Sequence, residues 1–238
     1  MRQRKAKDLE KRLERCSGYI VRTDDGSLQE YCGAQQEPLY VEVGCGKGQF
    51  IIKKAASDPD GRYLAIEGQE TVILRAAEKA MCVSGETDWP ENVPGEERME
   101  GVSAKLDNLK FVNCFVEHMA DFFEEGQLTG VYLNFSDPWP KARHAKRRLT
   151  YHKRLMDYAW ALKPGGFIEI KTDNEDLFEF TLEEIEAAGL RITEMTRDLH
   201  DPDCPYAAKE ITTEYEDKFA AKGKNINYVR IVIVEQEK

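Results

Sequence analysis

A glycine-rich segment, Val41-Glu42-Val43-Gly44-Cys45-Gly46-Lys47-Gly48, follows an apolar run and precedes a helical pattern. Glycine permits the dihedral angles of a tight turn, and its missing side chain lets a ligand approach the main chain closely. The spacing is GxGxG, so the last glycine of the dinucleotide fingerprint GxGxxG is absent. The segment predicts a binding loop for a nucleoside without a pyrophosphate, although a tight turn alone would use the same glycines.

Two carboxylates accompany this loop. Glu67 ends the apolar run Leu64-Ala65-Ile66-Glu67, where a carboxylate can accept hydrogen bonds from both hydroxyls of an adenosine ribose. Glu42 precedes the glycines, and its charge repels phosphates but attracts the positively charged amino-acid part of S-adenosylmethionine. Because nicotinamide enzymes also use a carboxylate like Glu67, it is the pair of glutamates that favours S-adenosylmethionine as the cofactor.

A second motif, Asn134-Phe135-Ser136-Asp137-Pro138-Trp139-Pro140-Lys141, follows another apolar run. Its two prolines fix backbone dihedrals and withhold amide donors, which makes the loop stiff. Ligands of open α/β sheets bind outside the carboxyl ends of the strands, so we expect Asp137 beside the cofactor. From Lys141 to Arg154 there are seven Lys or Arg, two His and no acid. This run predicts RNA phosphate binding with Trp139 stacking or packing nearby, and a solvated charged face is the alternative.

Short β-type runs alternate with amphipathic helical patterns from Leu39 onward, which is typical of a parallel sheet with crossover helices. The predicted strands are LYVEV, RYLAIE, LKFVNC, VYLNF, FIEIK and LRITEM, and the predicted helices cover 47–57, 70–82, 150–162 and 174–188. A helical segment near Glu214 precedes INYVRIVIV, which is expected to form an antiparallel closing hairpin with LRITEM. The outline predicts an α/β fold of the Rossmann-like, seven-stranded class I methyltransferase type, mostly parallel with a C-terminal antiparallel strand.

The composition is that of a globular protein, with 238 residues of which 41% are hydrophobic and 33% charged. Taken as a total, the net charge of −10 argues against a nucleic-acid partner. The distribution of charge removes this objection, because the first fifteen residues carry seven bases against three acids and the run from Lys141 to Arg154 is also basic. No apolar run reaches the length of a membrane span and no secretory signal is present, so we expect a cytoplasmic protein without membrane contact. Six scattered cysteines without a CxxC pair predict reduced thiols and no metal site.

The chain is expected to comprise a basic N-terminal appendage at residues 1–37 and a single methyltransferase domain at 38–238. Residues from about 83 to 107, which include Pro90 and Pro94-Gly95, show no clear period and predict a surface insertion. The basic N-terminal segment is either a second RNA contact or a solvated face.

Four motifs carry a resemblance to a known family: EVGCGKGQF, NFSDPWPKARHAKRRLTY, KTDNEDLFEFTL and TTEYEDKF. The chain resembles the bacterial tRNA (guanine-N7-)-methyltransferases, the TrmB family, from Leu39 to its end. The resemblance implies an S-adenosylmethionine-dependent enzyme that methylates N7 of a guanine in the tRNA variable loop, at position 46 in the family. It implies no obligate protein partner, and the enzyme would be a monomer or a homodimer.

The resemblance also implies roles for individual residues. The cofactor residues would be Glu42, Gly44, Gly46, Glu67 and Asp137. The substrate residues would be Lys141, Arg143, His144, Lys146, Arg147, Arg148, Asp173, Thr213, Glu214, Tyr215 and Glu216. For the stretch from Thr213 to Glu216, a capped helix start is an equally weighted alternative to direct contact.

One position departs from the family pattern. Where the family usually carries Asp or Asn near the end of the third strand to meet the adenine amine, this chain has Phe115, flanked by Asn113 and Glu117. We expect Phe115 to be a cofactor residue that packs on the adenine. Glu117 or a backbone group would then replace the contact with the amine.

The expected chemistry needs no general base, because guanine N7 already presents an in-plane lone pair to the sulfonium methyl. Alignment of the reacting atoms can supply several of the roughly 7–11 kcal/mol available from orientation. Positive charge passes from sulfur to the guanine ring during transfer. We hypothesise that Asp137 and Asp173 are the catalytic residues, which stabilise this charge and bind the guanine N1 and N2 donors. Lys141 and the basic run would hold the neighbouring phosphates.

Two other functions compete with this one. The chain could methylate another RNA or a small molecule, or it could be a non-catalytic RNA-binding module that keeps the fold. The basic run after SDPWPK argues against a small substrate. The intact set of cofactor residues argues against a non-catalytic module, because decay would first remove those ligands.

Overall fold

The computed structural model describes residues 7–33, 37–90, 98–99 and 101–234. The chain forms two compact units, Met1–Val116 and Glu117–Lys238. Each unit contains four of the eight described strands, together with helices. The predicted α/β fold with a mostly parallel arrangement is confirmed. The first unit carries the predicted cofactor residues except Asp137, which lies in the second unit with the predicted substrate residues.

The first unit is built from a parallel four-stranded arrangement. Its elements are α1 (Leu9–Arg15), β1 (Ile20–Val21), α2 (Ser27–Gly33), β2 (Leu39–Val43), α3 (Gln49–Ser57), β3 (Arg62–Glu67), α4 (Glu70–Val83) and β4 (Leu109–Asn113). The strands lie in the order β1-β4-β3-β2, and every pairing between them is parallel. The carboxyl ends of β2 and β3, where Glu42 and Glu67 lie, therefore meet at one edge.

The central strands are apolar on both sides because parallel sheets are covered on both faces. Val41, Leu64, Ala65 and Phe111 are all fully buried. Before β4, the two N–H groups of the Asn108 amide are shared among the carbonyls of Ala55, Asp58 and Gly61, whose oxygens lie 2.9–3.1 Å from Nδ2. This side chain ties the end of α3 and the turn that follows it to the start of β4.

The N-terminal segment, predicted as an appendage, is packed into the first unit where it is described. Arg12 on α1 forms a two-pronged ion pair with Glu78 on α4, with nitrogen-to-oxygen distances of 2.7 and 2.6 Å. Tyr19 is buried in the hydrophobic core, and β1 pairs with the edge of β4. The segment therefore extends the sheet by one short strand. Residues 1–6 and 34–36 of the predicted appendage lie outside the described residues.

The predicted surface insertion is only partly described. Its first residue, Val83, is the last residue of α4, and residues 91–97 and 100 lie outside the described part. Met99 and Leu106 are buried in the core of the first unit. The second half of this segment thus contributes to packing, which its lack of periodicity did not indicate.

The second unit combines parallel and antiparallel strands. Its helices and strands are β5 (Leu128–Asn134), α5 (His152–Ala161), β6 (Leu162–Thr172), α6 (Glu175–Ala187), β7 (Ile192–Thr196), α7 (Glu214–Ala220) and β8 (Asn227–Val232), with 3₁₀ turns at Met119–Asp121, Ala142–Arg147 and Ala207–Lys209. The strand order is β5-β6-β8-β7, and β8 runs antiparallel to both of its neighbours. The predicted closing hairpin is confirmed.

Three further features of the described structure concern membrane-spanning helices, disulfides and metal sites. None of the helices in the described part of the chain is long and apolar enough to cross a membrane. The six cysteines, all of which are described, form no disulfide. Within the described ranges, no group of three or more His, Cys, Asp or Glu is arranged to hold a metal ion.

Candidate active site

The glycine loop makes a tight turn between β2 and α3. Gly44, Gly46 and Gly48 have φ angles of 78°, 55° and 79°, in the left-handed region that disfavours other residues. The amides of Gly44 and Cys45 donate to the carbonyl of Ile66 at 2.8 and 3.0 Å. The loop is thereby fastened to the end of β3, one residue before Glu67.

The glycines of this loop serve different purposes. A Cβ added at Gly48 would lie 2.9 Å from the Cβ of Ala76 and 3.3 Å from the ring of Phe111. Gly48 therefore lets α3 pack closely against α4 and β4. A Cβ added at Gly46 would meet nothing within 4 Å. The space beside Gly46 is open, as the approach of a ligand to the backbone requires.

Glu67 is held at the mouth of the loop by backbone amides. The amide of Gly46 donates to its Oε2 at 3.1 Å, and the amide of Gln69 donates to its Oε1 at 2.9 Å. A carboxylate has about four lone-pair sites, so these two bonds leave acceptor capacity on both oxygens. The geometry suits a carboxylate that receives two vicinal hydroxyls, as predicted for the ribose.

Both glutamates act on the same part of the loop. Burial raises the pKa of the Cys45 thiol, and the negative charges of Glu42 and then Glu67 raise it further. Cys45 thus lies in the field of two carboxylates, one of which, Glu42, is buried. A low-dielectric site with two negative charges favours a cationic ligand over a phosphate.

Asn113 is the last residue of β4, and Phe115 lies two residues beyond it. The Phe115 side chain is 75% exposed, and its ring covers Gly68, where an added Cβ would lie 2.2 Å from its Cε1. The Asn113 amide nitrogen donates to the carbonyl of Glu67 at 2.8 Å. An apolar ring and a fixed amide therefore lie next to the predicted ribose carboxylate. The role of Phe115 stays a prediction.

The loop after β5 contains two strained aromatic residues. Phe135 and Trp139 have φ angles of 51° and 41°, a conformation that is rare for bulky side chains and costs of order 1–3 kcal/mol. The amide of Phe135 donates to the carbonyl of Lys171 at 2.8 Å. Such strain persists only where the surroundings fix the backbone, and it is concentrated at functional sites.

Arg148 is one of the groups that fix this loop. Its Nε donates to the carbonyl of Pro138 at 2.9 Å, and its Nη2 donates to the carbonyl of Trp139 at 3.1 Å. Its guanidinium carbon lies 4.1 Å from the centre of the Phe180 ring. Its Nε and Nη2 donors and one face of its guanidinium serve the loop, and its RNA contact stays a prediction. Arg148 is a positioning residue.

The other bases of the segment face solvent. Lys141, Arg143, Lys146 and Arg147 are exposed, and His144 is half-buried. Arg147 lies over the Trp139 ring at 5.1 Å, and His144 meets the same ring edge-on at 5.6 Å. The Trp139 ring thus packs against Arg147 and His144 and helps to order the basic segment. Asp137, in the same loop, is exposed, and its predicted place beside the cofactor stays a prediction.

Asp173 lies in a polar cluster after β6. Lys224 Nζ is 3.3 Å from its Oδ2, and the carboxylate side chain is 12% exposed. Partial burial raises the pKa of the Tyr215 hydroxyl, and the charge of Asp173 with a hydrogen bond to it raises it further. The neutral hydroxyl of Tyr215 therefore serves as a donor to Asp173.

Tyr215 also belongs to a row of aromatic rings. Its ring centre is 5.0 Å from that of Phe135 and 4.2 Å from that of Phe219, with which it is stacked. Lys222 and Lys224 lie over Phe219 at 5.1 and 5.0 Å. The strained loop after β5 and helix α7 are thus joined through Tyr215, whose ring remains 43% exposed.

The predicted substrate contact of Glu216 is wrong, because its side chain is fully buried. Both of its carboxylate oxygens lie 3.2 Å from Lys171 Nζ, and His200 Nε2 lies 2.9 Å from its Oε1. Thr213 and Glu216 form a capping box at the start of α7. The capped helix start is therefore the role of these two residues, and it leaves Tyr215 exposed between them.

Sequence reasoning missed the residues that hold the second unit's site. Lys171 and Lys224 gave no local signal, because a lysine in a strand or a loop is usually solvated. Phe135 was within a quoted motif, yet its strained backbone is visible only in three dimensions. The capping-box spacing from Thr213 to Glu216 was the one available sign that Glu216 is structural.

Comparisons with known proteins give a family model and relatives that match most of the chain. A family model described as a putative methyltransferase matches residues 36–229. The chain is 37% identical over 231 residues to the tRNA (guanine-N(7)-)-methyltransferase of Mesoplasma florum, covering 95% of this chain and 96% of that relative. It is 42% identical over 193 residues to the protein of the same name from Limosilactobacillus reuteri, covering 81% of this chain and 80% of that relative.

Solved structures share the fold at low identity. The 16S rRNA methyltransferase KamB superposes with a TM-score of 0.59 at 11% identity, covering 89% of this chain and 94% of that one. An antibiotic-related methyltransferase superposes with a TM-score of 0.55 at 18% identity, covering 86% and 91%. These likenesses support the fold.

Alanine at Gly46 and at Gly48 should have opposite principal effects. Gly48→Ala adds a methyl group to a closed contact and should destabilise folding by about 2–4 kcal/mol through overpacking and backbone strain. Gly46→Ala has open space and should cost only about 1–2 kcal/mol, yet weaken S-adenosylhomocysteine binding strongly. Denaturant unfolding and titration calorimetry measure the two quantities. Equal loss of stability in both variants would contradict the assignment.

Removing one partner of the buried Lys171–Glu216 ion pair should weaken the attachment of α7 to β6. Lys171→Met leaves the Glu216 carboxylate buried without its ammonium partner and should cost about 3–5 kcal/mol, part of which Lys171→Met/Glu216→Gln should recover. The free energy of unfolding in urea is the measurement. Lys105→Met, which breaks an exposed pair with Asp107, is the control and should change nothing measurable. A Lys171→Met variant as stable as this control would refute the role.

Proposed function

The chain belongs to the family of bacterial tRNA (guanine-N7-)-methyltransferases, and from this we propose that it transfers the methyl group of S-adenosylmethionine to N7 of a guanine in tRNA. The observation that carries the proposal is the similarity to the Mesoplasma florum enzyme over nearly the full length of both chains. By the family resemblance, the guanine lies in the variable loop. A tRNA substrate makes the proposed activity a cytoplasmic one.

The first unit supplies the proposed cofactor residues. Glu67, oriented by the amides of Gly46 and Gln69, would accept the ribose hydroxyls. Glu42 would favour the cationic amino-acid end of the cofactor, since a buried carboxylate stabilises a nearby positive charge. Gly44 and Gly46 leave the backbone accessible, and Phe115 would pack on the adenine. When bound, the cofactor supplies an electrophilic methyl group on a sulfonium.

The second unit supplies the proposed guanine residues. Asp173 would accept hydrogen bonds from guanine N1 and N2, in exchange for its present contact with Lys224. Its carboxylate, together with Asp137, would stabilise the positive charge that develops on the guanine ring. Tyr215, which donates to Asp173, orients that carboxylate. Because N7 attacks through a lone pair, no side chain needs to remove a proton.

Lys141, Arg143, Lys146 and Arg147 would bind phosphates of the tRNA around the target base. They are exposed and lie on one stretch ordered by Trp139. Phosphate contacts fix the register of a nucleic acid, whereas contacts to the base select it. This division favours an RNA substrate over a small molecule. The four basic residues also form a local positive surface on a chain whose net charge is negative.

The proposed function is tested by methyl transfer from isotope-labelled S-adenosylmethionine to bacterial tRNA, with borohydride-dependent cleavage to locate N7-methylguanosine. The wild-type protein should label tRNA at one guanine. Asp173→Asn should lower the rate by about 100-fold or more, since it removes a preorganised charge. Asp176→Asn, on the exposed first turn of α6, is the matched control and should retain the rate.

Two outcomes count against separate parts of this proposal. A wild-type protein that binds cofactor but labels no tRNA would refute the proposed substrate. Full activity of Asp173→Asn would leave the substrate intact and refute the carboxylate role. Label at a guanine outside the variable loop would refute only the position.

Neighbouring arginines should separate RNA binding from loop support. Arg147→Ala should raise KM for tRNA and reduce the slope of log KM against log salt by about one, without weakening S-adenosylmethionine binding. Arg148→Ala should lower kcat and the melting temperature, because it releases the carbonyls of Pro138 and Trp139. Arg191→Ala, an exposed arginine outside the segment, is the control for the salt slope. An unchanged slope in Arg147→Ala would contradict the phosphate contact.

A further inference from the structure

The backbone of Lys224 is fixed at the end of α7 by a glycine-terminated cap. The amide of Lys224 donates to the carbonyl of Phe219 at 3.2 Å, and the amide of Gly223 donates to the carbonyl of Ala220 at 2.9 Å. Gly223 has a φ angle of 72°, in the left-handed region. These two bonds around a left-handed glycine form a Schellman motif, in which the residue after the glycine packs on the last turn of the helix.

The side chain of Lys224 lies between an aromatic ring and a carboxylate. Its Nζ is 5.0 Å from the centre of the Phe219 ring and 3.3 Å from Oδ2 of Asp173. Even so, 54% of the side chain is exposed. A lysine carries three rotatable donors on a flexible four-carbon stem, so the ammonium can change its partner while the backbone stays in place.

The contact between Lys224 and Asp173 conflicts with the reaction proposed above. Asp173 is proposed to accept guanine N1 and N2 and to stabilise the positive charge that develops on the ring. An ammonium on the same carboxylate competes for Oδ2 and repels that charge, because like charges a few ångströms apart disfavour one another. The ammonium of Lys224 therefore has to leave Asp173 when guanine binds.

An RNA substrate brings a replacement partner for this ammonium. A nucleotide whose base lies on Asp173 carries phosphates next to that base, and an ammonium forms a charge-assisted hydrogen bond with a phosphate. Lys222, whose Nζ is 5.1 Å from the centre of the Phe219 ring, adds positive charge beside Lys224. The end of α7 thus presents an exposed cation that is already within hydrogen-bonding distance of the residue proposed to hold the base.

We propose that Lys224 is a substrate-binding residue that exchanges Asp173 in the free protein for a phosphate adjoining the target guanosine in the complex. This inference rests on the proposed function and adds a phosphate contact outside the basic segment from Lys141 to Arg147. The exchange makes the carboxylate available to the base when the substrate replaces the lost ion pair. Asp173 is thereby matched to a guanine that arrives with its phosphate.

The test measures methylation of tRNA by the full chain at several salt concentrations. Lys224→Met should raise KM for tRNA by about three- to tenfold at low salt and reduce the slope of log KM against log salt by about 0.7–0.9, because one phosphate contact is lost. Its kcat should stay within about twofold, since Asp173 is free of the ammonium in the complex of either protein. Binding of S-adenosylhomocysteine should not change.

Two further variants separate the charge of Lys224 from other effects. Lys224→Arg keeps a positive charge and should keep the salt slope. Lys163→Met removes an exposed lysine at the opposite end of β6 and should leave the slope and kcat unchanged.

Modified substrates identify the phosphate directly. Two tRNAs carry an uncharged methylphosphonate in place of the phosphate on one or the other side of the target guanosine. The wild-type protein should show a KM about three- to tenfold higher for one of them, and Lys224→Met should not distinguish that tRNA from the unmodified one. Melting temperatures show whether Lys224→Met is folded, and Lys224→Gln, which is also uncharged, replaces it if it is not.

The outcomes distinguish the exchange from the proposed function. An unchanged salt slope in Lys224→Met would overturn the exchange, and so would equal sensitivity of the variant and the wild-type protein to both modified tRNAs. A fall in kcat of about tenfold or more with an unchanged slope would also overturn it and assign to Lys224 a fixed role in orienting Asp173. A wild-type protein that methylates no tRNA would instead refute the proposed function.

Discussion

A lysine and a glutamate that are both shielded from water, Lys171 and Glu216, fix the elements that carry the proposed substrate residues of the second unit. Lys171 Nζ also donates to the carbonyls of Ala208 and Ile211 at 2.6 and 2.9 Å, so the ammonium is well supplied with acceptors. Glu216 in turn accepts the amide of Thr213 at the start of α7. Since each charge is costly to bury without the other, helix and strand are held in one arrangement.

The consequences of that pair extend to the residues proposed to contact guanine. The carbonyl of Lys171 accepts the amide of Phe135, and the Phe135 ring packs against Tyr215 on α7. Tyr215 in turn donates to Asp173, two residues after Lys171. A strained loop, a helix and a strand end thus share one anchor. Strain at Phe135 and Trp139 is sustained because this anchor and Arg148 hold the loop from two sides.

The first unit places two carboxylates, Glu42 and Glu67, at the glycine loop, where they favour a cationic ligand. Gly48 allows close packing of α3, and the fastening of Gly44 and Cys45 to Ile66 brings the loop to the end of β3. Glu67 is then oriented by the amides of Gly46 and Gln69, and none of the described lysines or arginines forms an ion pair with it. This arrangement favours a sulfonium nucleoside over a dinucleotide.

Residue patterns predicted much of this correctly. LYVEV and RYLAIE have the bounds of β2 and β3, and the antiparallel pairing of LRITEM with INYVRIVIV follows the predicted hairpin. The family resemblance is confirmed by the comparisons. Local patterns gave no sign of partners that are distant in sequence. Of the two roles weighed for Glu216, its burial supports the capped helix start, and the support that Arg148 gives to the loop was not predicted.

The sequence by itself determined the alternation of strands and helices, the glycine turn, the stiff loop and the basic segment, because each depends on residues within a few positions of one another. Only the tertiary structure decided which charged residues face solvent. Lys171 and Glu216 are 45 positions apart, and Arg148 meets Phe180 on another element. A charged residue in a local pattern has the same appearance whether it is solvated or paired, since its free energy depends on neighbours that the fold brings from elsewhere in the chain.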